Sequence, residues 1–263
     1  MIYLKSEEEI ELIRNSSLLV GKTLAEVAAY LKPGVQTMFL DKIAEDYIRD
    51  NHGIPGFKNY NGYPATLCIS VNDQIVHGIP GKKEIKDGDI VSIDCGAILN
   101  KFNGDSAYTF AVGDVKPEIM DLLKRTKESL NKGIENAVAG NRIGDIGYAV
   151  QSYVEGFGYS VVRELVGHGL GKHLHEEPQV PNYGRRGSGH KLTEGMVICI
   201  EPMINLGKKE IIQERDGWTI RTKDGHPSAH YEHVVSVLRN QSEVLSTFEY
   251  IEKIKNDNLK TIN

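Results

Sequence analysis

An α+β domain, with helices gathered on one side of an antiparallel sheet, is the fold class that this 263-residue sequence predicts. Three observations carry the expectation. Two amphipathic stretches of helical period open the chain. A block of β-branched or alternating runs separated by Gly, Asn and Pro follows. The order of helices then strands occurs again in the second half. The recurrence hints at an internal duplication, although no residue-level repeat accompanies it.

Ser6 with Glu9 makes a capping box, and Ile10, Ile13, Val20, Leu24, Val27 and Leu31 follow at three- and four-residue steps interrupted by Ser17. That spacing predicts a helix running to Pro33-Gly34. A second helix opens at Thr37, carries Leu40, Ile43, Ala44, Tyr47 and Ile48 on one face, and stops before Gly53. Strands are expected at Thr66 to Val71, Ile90 to Asp94 and Ser106 to Val112, then helices from Pro117 to about Val138 and Ile143 to about Phe157. Further strands are expected at Met196 to Ile200, Glu210 to Gln213 and Tyr231 to Leu238. With no Ser-, Pro- or Gly-rich linker, residues 1–263 read as one domain, and the polar stretch from about Asn240 to Asn263 reads as a surface tail.

Composition narrows the classes without choosing one. Hydrophobic residues at 40% and charged residues at 25% are ordinary for a soluble globular protein that buries a substantial core. A net charge of -5 argues against a broad grip on nucleic acid, and no stable nucleic-acid binding is expected. The N-terminus lacks the basic flank and apolar run of a secretory signal, and no apolar stretch approaches the ~20 residues that cross a bilayer. No membrane association and a cytoplasmic location are therefore expected. Cys68, Cys95 and Cys199 are odd in number, far apart and set in apolar runs, which reads as reduced core thiols.

The chemistry is carried by acids inside apolar strands. Asp94 ends one run and Asp105 begins the next, as on the two arms of a hairpin whose connection contains Asn100, Asn103 and Gly104. Side chains alternate along a strand, so Asp94 shares a face with Ser92, and Asp105 with Ala107 and Thr109. Ile93, Val91, Tyr108 and Phe110 take the opposite, core-forming faces. Glu201 likewise shares a face with Cys199 and Val197, and Glu232 with Val234 and Ser236. Any one of these acids reads most simply as a solvated strand end or a salt-bridge partner. Four converged in a poorly solvated cleft would repel one another unless cations neutralised them.

Four carboxylates and a neutral imidazole carry -4, which two divalent ions balance. An oxygen-rich set with one nitrogen suits Mn, Fe(II), Co or Zn and argues against a closed, thiolate-rich structural zinc site. The nitrogen candidate is His168, in Gly167-His168-Gly169-Leu170-Gly171, where the glycines allow close backbone approach. His175 follows seven residues on in His175-Glu176-Glu177-Pro178. Alone, either histidine reads equally well as a turn residue.

Taken in order, His77-Gly78-Ile79-Pro80, Asp94, Gly104-Asp105, the two histidine segments, Ile200-Glu201-Pro202 and Tyr231-Glu232-His233 resemble the type I methionine aminopeptidases. The resemblance spans nearly the whole chain, with five ligand positions and two flanking histidines in the family's order. It implies a pita-bread fold of two pseudo-symmetric halves, with a curved antiparallel sheet covered by helices. It also implies two divalent metal ions, bridged by Asp105 and Glu232, one also held by Asp94 and the other by His168 and Glu201. A bridging water or hydroxide would be the nucleophile, and Glu201 could relay its proton. By the same resemblance His175 would bond the carbonyl oxygen, and His77 would contact the scissile amide nitrogen or the nearby amine. The family's methionine pocket maps onto Tyr60, Tyr63, Cys68 and Trp218, with Phe57 and Leu174 as neighbours. From the residues alone these read as core packing.

The activity so implied is that of a metal-dependent methionyl aminopeptidase, a hydrolase that removes initiator methionine from new chains and peptides with a small second residue. The implied partner is a peptide or nascent-protein N-terminus met near the ribosome by a monomeric enzyme. Three departures stand out: Leu174 replaces the usual Phe before the second histidine, Phe57 stands where Cys is frequent, and His230 replaces a frequent Gln. Phe57 and Leu174 read as a size exchange that conserves pocket volume. Rivals on the same scaffold are proline-directed peptidases, which usually carry an extra N-terminal domain, and a non-catalytic binding paralogue, which should have lost ligands. Only 31 positions separate Glu201 from Glu232, too few for the helical insertion of the type II enzymes.

Overall fold

The computed structural model describes residues 1–260, with side chains through Ile254. Helix α1 spans Glu7–Tyr30 and opens on the capping box: Ser6 Oγ accepts from the Glu9 amide, and Glu9 Oε2 accepts from the Ser6 amide. Its buried face carries Ile13, Val20, Leu24 and Val27. The serines that interrupt this stripe have a packing role. Ser16 Oγ donates to the carbonyls of Leu99 and Phe102, and a Cβ on Gly104 would lie 2.4 Å from the backbone of Ser16 and Ser17. The helix thus rests backbone to backbone on a strand, which only glycine permits at that contact.

That strand, Phe102–Ala111, pairs antiparallel with Ile90–Leu99, with Asp94 opposite Ala107 and Gly96 opposite Asp105. Each arm is longer than the sequence implied, because Gly96, Asn103 and Gly104 lie within strands and not in the connection. The turn is Asn100-Lys101 alone, both at positive φ, as a two-residue hairpin turn requires. Gly96 leaves room for the Phe57 ring, whose Cε1 would stand 2.5 Å from an added Cβ. On its other edge Ile90–Leu99 pairs with Leu67–Val71 and Ile54–Pro55. Helix α2, Thr37–Asp50, buries Leu40, Ala44 and Ile48 in the same core as α1.

The second half repeats the plan. Helices α3, Pro117–Glu135, and α4, Ile143–Glu155, precede an antiparallel sheet ordered Ser242–Val244, His233–Val237, Val197–Ile200, Gly167–Gly169, Glu176–Val180. The last two strands are absent from the sequence expectation because the glycines of Gly167–Gly169 and Pro178 in Glu176–Val180 resemble turn signals. Added Cβ atoms on Gly167 and Gly169 would come within 2.2 Å and 2.3 Å of the Cys199 and Glu177 carbonyl oxygens, so glycine here allows tight pairing. The strand expected from Tyr231 to Leu238 is shorter, His233–Val237, and leaves Tyr231 and Glu232 in the link from a separate strand, Ser228–His230. A small sheet of Ile211–Gln213, Ile220–Thr222 and Gln74–Val76 brings the segments of Trp218 and His77 together.

The halves meet along one seam. The Glu232 amide donates to the Ala107 carbonyl at 3.0 Å, Ser106 Oγ to the Glu232 carbonyl at 2.8 Å, and Tyr231 Oη to the Thr109 carbonyl at 2.9 Å. The surface tail expected from Asn240 is a correction. Residues Ser242–Val244 complete the second sheet, and α5, Glu249–Lys260, docks on α1. Leu245, Phe248 and Ile251, spaced by three, are buried, a stripe that the polar surroundings mask in the sequence. The remaining three residues of that expected tail lie outside the described residues.

Candidate metal centre

Strand register gathers the acids. Asp94 and Asp105 occupy one face of the first hairpin, diagonal to each other across the Asp94–Ala107 and Gly96–Asp105 pairs. In the second sheet His233 pairs with Ile200, so Glu232 and Glu201, one step beyond each strand end, are drawn to the same edge. Gly169 pairs with Ile198, bringing His168 beside Cys199. The seam then sets both pairs of acids against each other. His168 Nε2 stands 3.9 Å from Asp105 Oδ2 and 3.7 Å from Glu201 Oε1. Donor atoms of Asp105, His168, Cys199 and Glu232 all lie within 4.8 Å of one another.

The electrostatics are those of a site built for cations. Burial, then mutual repulsion among the carboxylates, pushes Asp105 and Glu232 well above the usual carboxylate range. Burial raises Glu201 to about 8 and Asp94 to about 7. Asp94 Oδ1, Asp105 Oδ1 and Glu232 Oε1 are buried with no hydrogen-bond partner among the described residues. Each such buried acid costs several kcal/mol, roughly, unless a proton or a cation compensates it. His168 Nδ1 is 3.0 Å from the Gly169 carbonyl, which can only accept, so the proton sits on Nδ1 and the Nε2 lone pair faces the acids. Burial keeps that ring neutral, its pKa lowered to about 3. These donors fit divalent cations.

Cys199 is more than the core thiol the sequence suggests. It lies inside the donor group, as its shared strand face with Glu201 allows, while burial and the neighbouring carboxylates raise its pKa and keep it protonated. It therefore hydrogen-bonds Glu232 as a thiol. Cys68 pairs directly across from Asp94, whereas Cys95 faces the apolar core. All three cysteines are free.

A cavity of about 510 Å³ opens above the acids, lined by all five expected ligands, by His77 and His175, and by the expected pocket residues. Phe57, Tyr60, Tyr63, Cys68, Leu174 and Trp218 form its apolar wall in one continuous cluster. Phe57 and Leu174 therefore share one wall, the placement a size exchange requires. Tyr63 packs edge-on to Trp218 at 5.1 Å and donates its hydroxyl to the Leu67 and Gly78 carbonyls. His77 adopts φ +59° and meets Trp218 edge-on at 6.4 Å, its pKa lowered to about 4 by burial and by the neighbouring histidines. His175 lies perpendicular to His168, ring centres 4.3 Å apart, with Nδ1 3.0 Å from Tyr60 Oη.

His230 lies deeper than a pocket residue. Its ring is buried, with Nε2 3.6 Å from Glu201 Oε2 and no hydrogen-bond partner on either nitrogen. The only sequence signal for it is the departure from Gln.

The model of metallopeptidase family M24 matches residues 11–238. The chain is similar to the methionine aminopeptidase of Clostridium acetobutylicum, 50% identical over 95% of this chain and 100% of that one. It is also similar to methionine aminopeptidase 1 of Bacillus subtilis, 45% identical over 94% and 99%. Among solved structures, the methionine aminopeptidase of Rickettsia prowazekii superposes with a TM-score of 0.93 at 40% identity, covering 94% of this chain and all of that one. The prolidase of Pyrococcus furiosus, at 23% identity and a TM-score of 0.75, shares the fold. The two-halved architecture is thus the pita-bread fold, and the chain belongs to metallopeptidase family M24, among its methionine aminopeptidases.

Proposed function

We propose that this enzyme hydrolyses the peptide bond after an N-terminal methionine when the second residue is small, using two divalent cations held by Asp94, Asp105, His168, Glu201 and Glu232. The observation that carries the reading is the buried acid and imidazole cluster flooring a cavity walled by Tyr63, Trp218, Phe57 and Leu174. Four carboxylates converging on one face call for about four positive charges, which supports two ions over one. When bound, the ions supply Lewis-acid polarisation of the scissile carbonyl and a nucleophilic water at neutral pH.

The protein's own groups do the rest. The apolar wall takes the methionine side chain, and the acidic floor attracts the free amine that marks a chain's N-terminus. Glu201, beside His168 and lining the cavity floor, is placed to take a proton from the attacking water and return it to the leaving amine. In the tautomer in which Tyr60 Oη donates to Nδ1, 3.0 Å away, His175 carries its proton on Nε2 and can donate it to the developing oxyanion. His77 lines the same cavity beside Trp218, where it would meet the scissile nitrogen or the amine. Initiator methionine occurs on newly made chains, so the same reading has a monomeric enzyme meet its substrate near the ribosome, in the cytoplasm.

The test uses metal-free protein refilled with Co, Mn, Fe(II) or Zn and assayed on Met-Ala-Ser, Met-Leu-Ser, Leu-Ala-Ser and Ala-Pro peptides. The expected result is metal-dependent cleavage of Met-Ala-Ser alone. Cleavage of Ala-Pro without Met-Ala-Ser would turn the assignment to a proline-directed peptidase.

A further inference from the structure

We propose that His230 is a second imidazole donor to the metal centre, in addition to the five expected ligands. The inference rests on the metal-dependent reading above. Its basis is placement. The Thr109 hydroxyl accepts from the His230 amide at 2.9 Å and donates to the His230 carbonyl at 2.7 Å, while Ser92 Oγ stands 2.8 Å away as its other partner. Ser92 and Thr109 lie on the hairpin face that carries Asp94 and Asp105. The backbone of His230 is therefore pinned to the ligand-bearing strands, and its ring can hardly leave the seam.

His230 is only 1% exposed, and both its ring nitrogens lack a hydrogen-bond partner among the described residues. An unsatisfied buried polar group is costly, so an imidazole held this way calls for a partner that the surrounding side chains do not supply. Glu201 lies between two imidazoles: Oε1 is 3.7 Å from His168 Nε2, and Oε2 is 3.6 Å from His230 Nε2. Both separations exceed the ~3.2 Å reach of an N–H···O hydrogen bond. Both match the ~3 to 4 Å between two donors that share an ion at about 2.1 Å. The ring also interacts electrostatically with Asp94.

The consequence is a centre richer in nitrogen than one with Gln at this position. Imidazole suits cobalt, zinc and iron, whereas carboxylate sets without it suit manganese and magnesium. His230 thus biases the centre toward the former group.

Proton NMR of the Co(II)-filled protein reads the donor count directly, because each coordinated imidazole contributes one strongly shifted, exchangeable N–H signal. Two such signals are expected in the natural chain and one in His230→Gln, with cobalt affinity falling at least ~10-fold relative to manganese. The natural chain alone decides the count if the variant fails to fold. A single signal in the natural chain, or an unchanged cobalt-to-manganese preference in a folded His230→Gln, overturns the proposal and leaves the metal-dependent reading standing. Failure of the natural protein to bind cobalt at all overturns both.

Discussion

Lys5 Nζ donates to Glu176 Oε2 at 2.5 Å, with the two side chains only 6% and 5% exposed. Glu176 Oε1 accepts from the His173 amide at 3.1 Å, so the ion pair ties the N-terminal segment to the loop carrying Leu174 and His175. The Lys5 amide in turn donates to the Gly195 carbonyl at 2.7 Å. Lys5→Met leaves a buried carboxylate without its cation, a change that costs about 3 kcal/mol. Urea denaturation of the metal-loaded protein is expected to show that loss, and kinetics a fall in kcat larger than any rise in KM. Unchanged stability and kcat would mean the loop holds its place without the pair.

Tyr60→Phe removes the hydroxyl beside His175 Nδ1 while keeping the ring in the cavity wall. If that bond sets the tautomer of His175, kcat on Met-Ala-Ser is expected to fall about 10-fold with little change in KM. An equal fall in kcat/KM caused by KM alone would assign Tyr60 to substrate contact only.

Leu174→Phe adds volume against Phe57 in the shared wall and is expected to weaken methionine binding and cost roughly 1–3 kcal/mol. The double change Phe57→Cys with Leu174→Phe is expected to restore KM. A thermodynamic cycle over the four proteins measures the coupling, and additive effects would show that the two residues act independently.

Stability of the metal-free protein is expected to fall as pH rises from about 6.5 to 8. Asp94 and Glu201 titrate at about 7 and about 8 when folded, with Asp105 and Glu232 also raised, so the folded state holds protons that the unfolded state has released. Their stabilisation is complete below the unfolded carboxylate values near 4 and is lost progressively as pH rises through about 8, the part above about 6.5 being free of histidine titration. Histidines whose pKa is lowered on folding, such as His77, His168 and His233, act with the opposite sign, but only below the ordinary histidine value of about 6.5. Thermal melts across the range check this, and added cobalt is expected to reverse the slope, because cations replace the protons.

Helices α1 to α4 were legible because each buries one stripe at helical spacing and α1 carries its cap in Ser6 and Glu9. Asp94 and Asp105 were legible through strand parity, since a charge on the face of an otherwise apolar strand has few structural explanations, and the same reading found Glu201 and Glu232 although both lie one step beyond their strands. Their convergence was not, because it depends on the contact between Glu232 and Ala107, 125 positions apart in the sequence. Gly96, Gly104, Gly167 and Gly169 misled in one direction: each resembles a turn residue, yet each serves a close approach that only the folded neighbours reveal. Cys199 and His230 were missed as members of the centre for a related reason. A thiol in an apolar run reads as core, and a histidine beside a ligand becomes a donor candidate only once its unpartnered nitrogens and its distance to Glu201 are seen.

The central claim is that five residues at the seam hold two divalent ions, and counting bound ions tests it most directly. After equilibrium dialysis against micromolar Co(II), elemental analysis is expected to give two ions per natural chain and at most one in Asp105→Asn, which removes a carboxylate charge from the donor group. Retention of two ions by folded Asp105→Asn, or none by the natural chain, would contradict it.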